Sequence, residues 1–265
     1  MADRSAIEWT AATWNPTTGC DRVSAGCDHC YALTLAKRLK AMGQPKYQND
    51  GDPRTSGPGF GVTVHPQALG IPLRWRQPRM VFVNSMSDLF HARVPRDFVH
   101  QVFDVMAATP QHTYQILTKR SRRLRLMAPG LPWPANVWMG VSIEHAALAY
   151  RAEDLRAVPA AVRFLSLEPL LGPLPSLDLT GIDWVIAGGE SGPGFRPVDL
   201  GWVRSIRDRC AQGGVAFFFK QVGGNTPKAG GAGTGRPHVG PDARSATSHR
   251  RWHEESVRRR VEADP

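Results

Sequence analysis

The sequence predicts an α/β protein on three observations: short apolar runs without alternation, helix-compatible stretches between them, and polar residues where the runs end. Unbroken hydrophobicity over five or six residues marks strands buried on both faces, as in parallel sheets. Parallel neighbours need a crossover, usually a helix. The first strand is short, around Thr13 to Thr17, and runs straight into a cysteine-rich loop. MVFVNSM (Met80 to Met86) and TYQILT (Thr113 to Thr118) follow. Next come VWMGVSI (Val137 to Ile143), VRFLSL (Val162 to Leu167), DWVIAGG (Asp183 to Gly189) and VAFFFK (Val215 to Lys220). Among the intervening stretches, PRDFVHQVFDVMAATP and LGWVRSIRDRCAQGG have the apolar spacing of amphipathic helices. About seven βα units result, enough for an open or closed α/β barrel, and a doubly wound sheet carries the same local signature. The stretch 44–61, QPKYQNDGDPRTSGPGFG, is polar and rich in Gly and Pro and reads as a long loop between the first helix and the second strand.

A chain of 265 residues is long enough to bury a substantial core. Residues 1–224 read as one α/β domain, and 225–265 as a Gly/Pro-rich, basic, flexible tail whose end is compatible with a short helix. The formal charge of +10 is concentrated in RSRRLR (Arg120 to Arg125) and in that tail. Such charge fits a nucleic-acid partner, with a merely solvated tail as the plain alternative. No apolar run is long enough to span a bilayer, and MADRSAIEWT has no apolar signal region. Four cysteines, three of them clustered, do not make a secreted disulfide scaffold, so a reduced, cytoplasmic protein without membrane contact is expected.

Cys20, Cys27 and Cys30 stand in TTGCDRVSAGCDHCYA, while Cys210 lies far off in a helix-like stretch and is expected to be a buried core residue. Three thiolates holding a four-iron cluster leave one iron open, whereas a structural zinc site takes four ligands. Asp28 or His29 would have to close a zinc site here. His29 is expected to point away from the metal, and His91 to lie on the surface.

The ends of the predicted strands carry the other candidates. They are Asn84, Ser85, Ser87 and Asp88; Thr118, Lys119 and Arg120; Ser142 and Glu144; Glu168; Gly188, Gly189, Glu190 and Ser191; then Lys220 and Gln221. Loops at these ends build the active sites of parallel α/β folds, and converging polar groups cost stability unless they bind something. In GGESGPG the glycines allow close backbone approach, and Glu190 could hold an amine or a ribose hydroxyl. A tight strand-to-helix turn explains the same residues.

Ending in CxxC-aromatic (Cys27, Cys30, Tyr31) at the head of a βα-repeating chain, the three cysteines resemble the cluster loop of radical S-adenosylmethionine enzymes. The spacing here is Cys-x6-Cys-x2-Cys, where the superfamily's common one is CxxxCxxC. The resemblance implies a partial or complete (β/α) TIM-like barrel of the radical SAM type, with a [4Fe–4S] cluster on Cys20, Cys27 and Cys30. It also implies S-adenosyl-L-methionine on the open iron, reductive cleavage to a 5′-deoxyadenosyl radical, and an external electron donor such as flavodoxin or ferredoxin. The superfamily's Gly-Gly-Glu motif, which holds the methionine amine, normally follows the second strand. Here that strand ends in Asn84-Ser85-Met86-Ser87-Asp88, so position favours Ser85, Ser87 or Asp88 for the amine. Asn84, Ser142, Glu144 and Glu190 complete the cofactor-binding candidates. Lys119, Glu168 and Lys220 are the catalytic candidates, with Arg120 beside them for substrate. The chain from Trp14 to Gly224 also resembles the phage-associated three-cysteine-motif proteins of bacteria and their phages. The matching stretches are WNPTTGC, GCDHCYA, VFVNSMSDLF, LTKR, GVSIE, LSLEPLLGP, WVIAGGESGPG and FFKQVGG. The expected function is a radical SAM enzyme acting on a nucleic acid or nucleotide, in modification or repair. The competing expectations are a non-catalytic zinc- or cluster-stabilised nucleic-acid-binding protein and a metal-free α/β enzyme.

Overall fold

A computed structural model describes residues 10–226 of the chain. The expected tail from 227 onward, with its basic end, lies outside the described residues. The chain enters as β1 (Ala12–Trp14) and β2 (Thr17–Thr18), passes the cysteine loop and forms α1 (Tyr31–Ala41) and β3 (Thr63–Val64). Then come β4 (Met80–Val83), α2 (Arg96–Ala107), β5 (Thr113–Thr118), α3 (Ser121–Met127), β6 (Val137–Ser142) and α4 (Tyr150–Arg156). The last elements are β7 (Val162–Leu167), β8 (Trp184–Gly188), α5 (Leu200–Gln212) and β9 (Ala216–Gln221).

Seven of these strands pair in parallel in the order β1-β4-β5-β6-β7-β8-β9. Each main-sheet strand therefore lies beside its neighbour in sequence. A doubly wound sheet reverses its strand order at a switch point so that helices can cover both faces. This order never reverses, and right-handed crossovers then place the helices on one side. The sheet curls into an open half-barrel, which decides between the two architectures that periodicity left open.

The helix-side face supplies the main core. Val81 and Val83, Tyr114 and Ile116, Met139 and Val141, Leu165 and Leu167, and Val185 and Ala187 pack with Val102, Phe103 and Met106 of α2, Leu155 of α4 and Ile206 of α5. Cys210 is wholly buried in this core, as expected of a free cysteine that packs as a small hydrophobe. The alternate residues face the other way, among them Phe82, Gln115, Trp138, Phe164 and Trp184. Phe164 and Trp184 stand 5.5 Å apart between ring centroids. Gly140 makes room for them, since a Cβ there would lie 2.4 Å from the Phe164 ring.

A smaller cluster of Ala32, Ala36, Tyr47, Phe60 and Met86 packs α1 against the Gly/Pro-rich stretch. That stretch is more than a connector. It leads into β3, which pairs with β2 in a short ribbon that periodicity did not indicate, and it roofs the start of the cysteine loop. Cys20 N donates to Phe60 O at 3.3 Å and Arg22 N to Thr55 O at 3.0 Å. Gly19 has φ +83, and a Cβ on it would lie 2.2 Å from Gly61 O, so the approach requires glycine. No helix among the described residues is long and apolar enough to cross a membrane.

Candidate functional site

The cysteine loop runs from the ribbon into the start of α1, with a short 3-10 turn at Ala25–Cys27 and Cys30 as the residue before the helix. All three thiols are free and partly buried, and Cys20 and Cys30 pack against the smaller cluster. Its polar anchors come from the ends of the main-sheet strands. After β6, Glu144 accepts from Ser24 Oγ at 2.8 Å, and Gly26 packs so closely on it that a Cβ would lie 2.4 Å from Glu144 Cγ. After β8, Glu190 pairs with His29 Nδ1 at 2.8 Å, and Arg196 donates to Ala25 O at 2.9 Å. Asp28 is held by Arg22 and Arg196. Asp21 accepts from Thr55 Oγ1 at 2.7 Å and Ser56 Oγ at 3.1 Å. His91 Nδ1 accepts from Arg93 N, which leaves the proton on Nε2 to be donated to Asp21 Oδ2 at 2.9 Å. His91 is therefore buried against the loop, contrary to the expectation of a surface residue, because Asp21 offers it a partner that no local pattern reveals.

Most strand-end candidates prove to be tied into this support. Asp88 is buried and accepts from Thr118 Oγ1 at 2.7 Å, Phe90 N at 3.0 Å, Lys119 N at 3.1 Å and Arg120 Nη1 at 3.1 Å. Arg120 reaches on to Cys20 Sγ at 3.4 Å and Asp21 O at 3.0 Å. Glu144 is fully buried and takes Lys119 Nζ at 2.9 Å and Arg151 Nη1 at 3.0 Å as well as Ser24. Burial works against its charge, but Lys119, Arg151 and Ser24 together hold the carboxyl below its usual range. Burial likewise opposes the charge on Glu190, yet Arg196 and His29 bring it to about 2. Burial pushes the Cys20 thiol up to about 12; Asp88 adds to the rise and Arg120 opposes it. Ser142 is buried at the end of β6, and its carbonyl accepts from Arg151 at 2.7 Å.

At the end of β4, Ser87 Oγ shares a hydrogen with Thr17 Oγ1 at 2.6 Å, and Ser85 Oγ donates to Asn15 Oδ1 at 3.2 Å. Asn84 differs from these. It is buried with φ +62, and its Oδ1 accepts from Thr17 N at 3.2 Å while its Nδ2 has no hydrogen-bond partner among the described residues. A buried amide donor left unpaired is costly unless a ligand takes it. Across the sheet, Lys220 Nζ meets Glu168 Oε1 at 3.0 Å. The pair spans β8 above Gly188, where a Cβ would lie 2.9 Å from Glu168 Oε1.

The arginine run divides. Arg120 turns into the site, while Arg122 lies over Tyr150, Arg123 donates to Val94 O and Arg125 pairs with Asp154. Asp21, Arg151 and Arg196 were not among the sequence candidates, and His29 was considered only for the metal and not as the partner of Glu190. Arg196 follows GGESGPG closely, and its proximity to Glu190 was the one available signal. Among the described residues, no three His, Cys, Asp or Glu side chains stand close enough to hold one metal ion. The donor set itself suits an iron–sulfur group: three soft thiols on one loop, an N–H on one sulfur, and an orphaned buried amide close by in sequence to Ser85 and Ser87.

A family model described as "Protein of unknown function (DUF5131)" matches residues 4–261. No curated protein matches the sequence. Among solved structures, spore photoproduct lyase complexed with dinucleoside spore photoproduct is similar at 13% identity and a TM-score of 0.38, over 74% of this chain and 59% of that one. A Cys-to-Ser variant of spore photoproduct lyase is similar at 14% identity and a TM-score of 0.44, over 80% of this chain and 64% of that one. The chain thus spans about three fifths of the length of the solved structures it matches.

Proposed function

We infer that this chain, which belongs to the DUF5131 family, is a radical S-adenosylmethionine enzyme in which Cys20, Cys27 and Cys30 hold a [4Fe–4S] cluster. The observation that carries the reading is the loop of three free thiols whose anchors are the strand-end residues Asp88, Arg120, Glu144 and Glu190, directly or through their neighbours. When bound, the cluster and S-adenosyl-L-methionine supply one-electron reductive cleavage that generates a hydrogen-abstracting radical.

The chain's own residues divide the remaining work. Glu144 and Glu190 hold the loop in place before any group is loaded. Asn84 offers its unpaired Nδ2 to the cofactor, and Ser85 and Ser87 shape the same strand end. Glu168 and Lys220 form the pair we assign to the substrate, since both side chains remain partly exposed. Lys119 serves Glu144 and the loop. A nucleic acid or nucleotide is the substrate class we assign, supported by the net charge of +10. Flavodoxin or ferredoxin would deliver the electron. The zinc-bound alternative draws no support from Asp28 and His29, which are engaged by Arg22, Arg196 and Glu190.

Anaerobic reconstitution of the full chain tests the reading. The expected product holds about four irons and four sulfides and gives, after dithionite reduction, an EPR signal that changes on adding S-adenosylmethionine. Cys20→Ala, Cys27→Ala and Cys30→Ala should each lose the cluster, and Cys210→Ala should keep it. A zinc-loaded, EPR-silent wild type would overturn the reading.

A further inference from the structure

We propose that Arg120 sets the reduction potential of the cluster held at Cys20, with Asp88 as its counterweight; this rests on the cluster reading above. Arg120 Nη1 lies 3.4 Å from Cys20 Sγ and 3.1 Å from Asp88 Oδ2, and Nη2 donates to Asp21 O at 3.0 Å. One guanidinium thus grips a ligand sulfur, the backbone beside it and a carboxylate at once. The side chains of Arg120 and Asp88 are only 13% and 7% exposed, so solvent screens their charges little.

The arrangement is built on the sheet. Asp88 follows β4, Arg120 follows β5, and these strands are direct register partners. Asp88 cannot swing away without losing Thr118 Oγ1, Phe90 N and Lys119 N. Arg120 is held at its own backbone too, where its N–H donates to Thr118 Oγ1 at 2.9 Å.

The physical consequence has a sign. Reduction adds one electron, here from dithionite, and takes the cluster from [4Fe–4S]2+ to [4Fe–4S]+ with no bond broken. A positive charge and an N–H on a ligating sulfur stabilise the electron-rich state more than the oxidised one and raise the potential. The Asp88 carboxylate acts in the opposite sense. Arg120 therefore pulls the potential up and Asp88 pulls it down.

An EPR-monitored redox titration of the reconstituted full-length protein, without S-adenosylmethionine, tests this on wild type, Arg120→Gln, Arg120→Lys and Asp88→Asn. Arg120→Gln should lower the midpoint by about a tenfold change in the reduction equilibrium, which is about 59 mV for one electron. Asp88→Asn should raise it by a similar amount, and Arg120→Lys should fall less than Arg120→Gln because it keeps the charge. Opposite signs for neighbouring residues are not the signature of a loosened site. Shifts in the same direction, unmoved potentials, or loss of the cluster from all three variants would overturn the proposal in favour of plain anchoring of Cys20. A wild type that takes up no cluster would overturn the reading beneath it, which separates the two failures.

Discussion

Asn84 sits in the left-handed region with φ +62, a conformation that costs a residue other than glycine free energy, and keeps a buried amide donor without a partner. Two such costs at one residue fit a ligand contact. Asn84→Gly relieves the backbone but deletes both the unpaired donor and the acceptor of buried Thr17 N, so it should lower stability by about 1–3 kcal/mol. It should also weaken S-adenosylmethionine binding about tenfold, as judged by the concentration needed to change the EPR signal. Equal affinity in that variant would remove Asn84 from the cofactor site. Serine and asparagine at a strand end are common, and nothing local marks Asn84 apart from Ser85 or Ser87. Its Oδ1 is held by Thr17 N, a neighbour brought in from β2 that no local pattern reveals.

At the scale of elements, two structures support the cysteine loop. The GGESGPG turn reaches it through Glu190, whose side chain gathers His29 and Arg196. Glu190→Ala would leave the Arg196 charge without its main partner and release His29. It should cost about 2–3 kcal/mol and raise deuterium uptake across residues 20–30, read by mass spectrometry. Unchanged uptake there would mean that the turn does not restrain the loop.

The ribbon β2–β3 is the other support, with Thr18 Oγ1 bonded to His65 Nε2 at 2.8 Å. Burial, helped by Lys46, lowers the His65 pKa to about 4 from 6.5. The sign follows from linkage: above 6.5 His65 is neutral folded or unfolded, and below it the unfolded chain takes up the proton first. Stability should therefore decline as pH falls from 6.5 to 4, by roughly 3 kcal/mol in total from this group. Urea midpoints of wild type and His65→Gln across that window check it, and the variant should lack this share of the pH dependence. The polar stretch 44–61 read correctly as a long loop, but its packing on Cys20 and Arg22 depends on backbone contacts that composition does not encode.

Across the whole molecule, the half-barrel divides its labour between its two faces and its strand ends. The helix side is mainly aliphatic with a few rings such as Tyr114 and Phe103, the opposite face carries Phe82, Trp138, Phe164 and Trp184, and the C-terminal ends are polar. Gly140 tests that division, because any side chain there enters the Phe164 ring. Gly140→Val should destabilise the protein by about 2–4 kcal/mol in urea, whereas Met139→Leu on the helix side should cost less than about 1.5 kcal/mol. Comparable losses at the two positions would mean that the aromatic face yields more easily than its packing indicates.

Read alone, the amino-acid sequence determined the strands and the thiols. TYQILT and VRFLSL begin and end where β5 and β7 do, because burial on both faces writes an unbroken apolar run into the chain. The three cysteines stand in one loop because they are close in sequence. What only the tertiary structure decided is which distant groups meet: Arg120 with Cys20, Glu144 with Ser24, and Glu190 with His29. It also decided the strand order that never reverses and so places the helices on one side of the sheet. The physical reason is the same in both cases. Periodicity records whether a residue is buried, while the identity of its partner depends on strand order and on contacts as many as 171 residues apart.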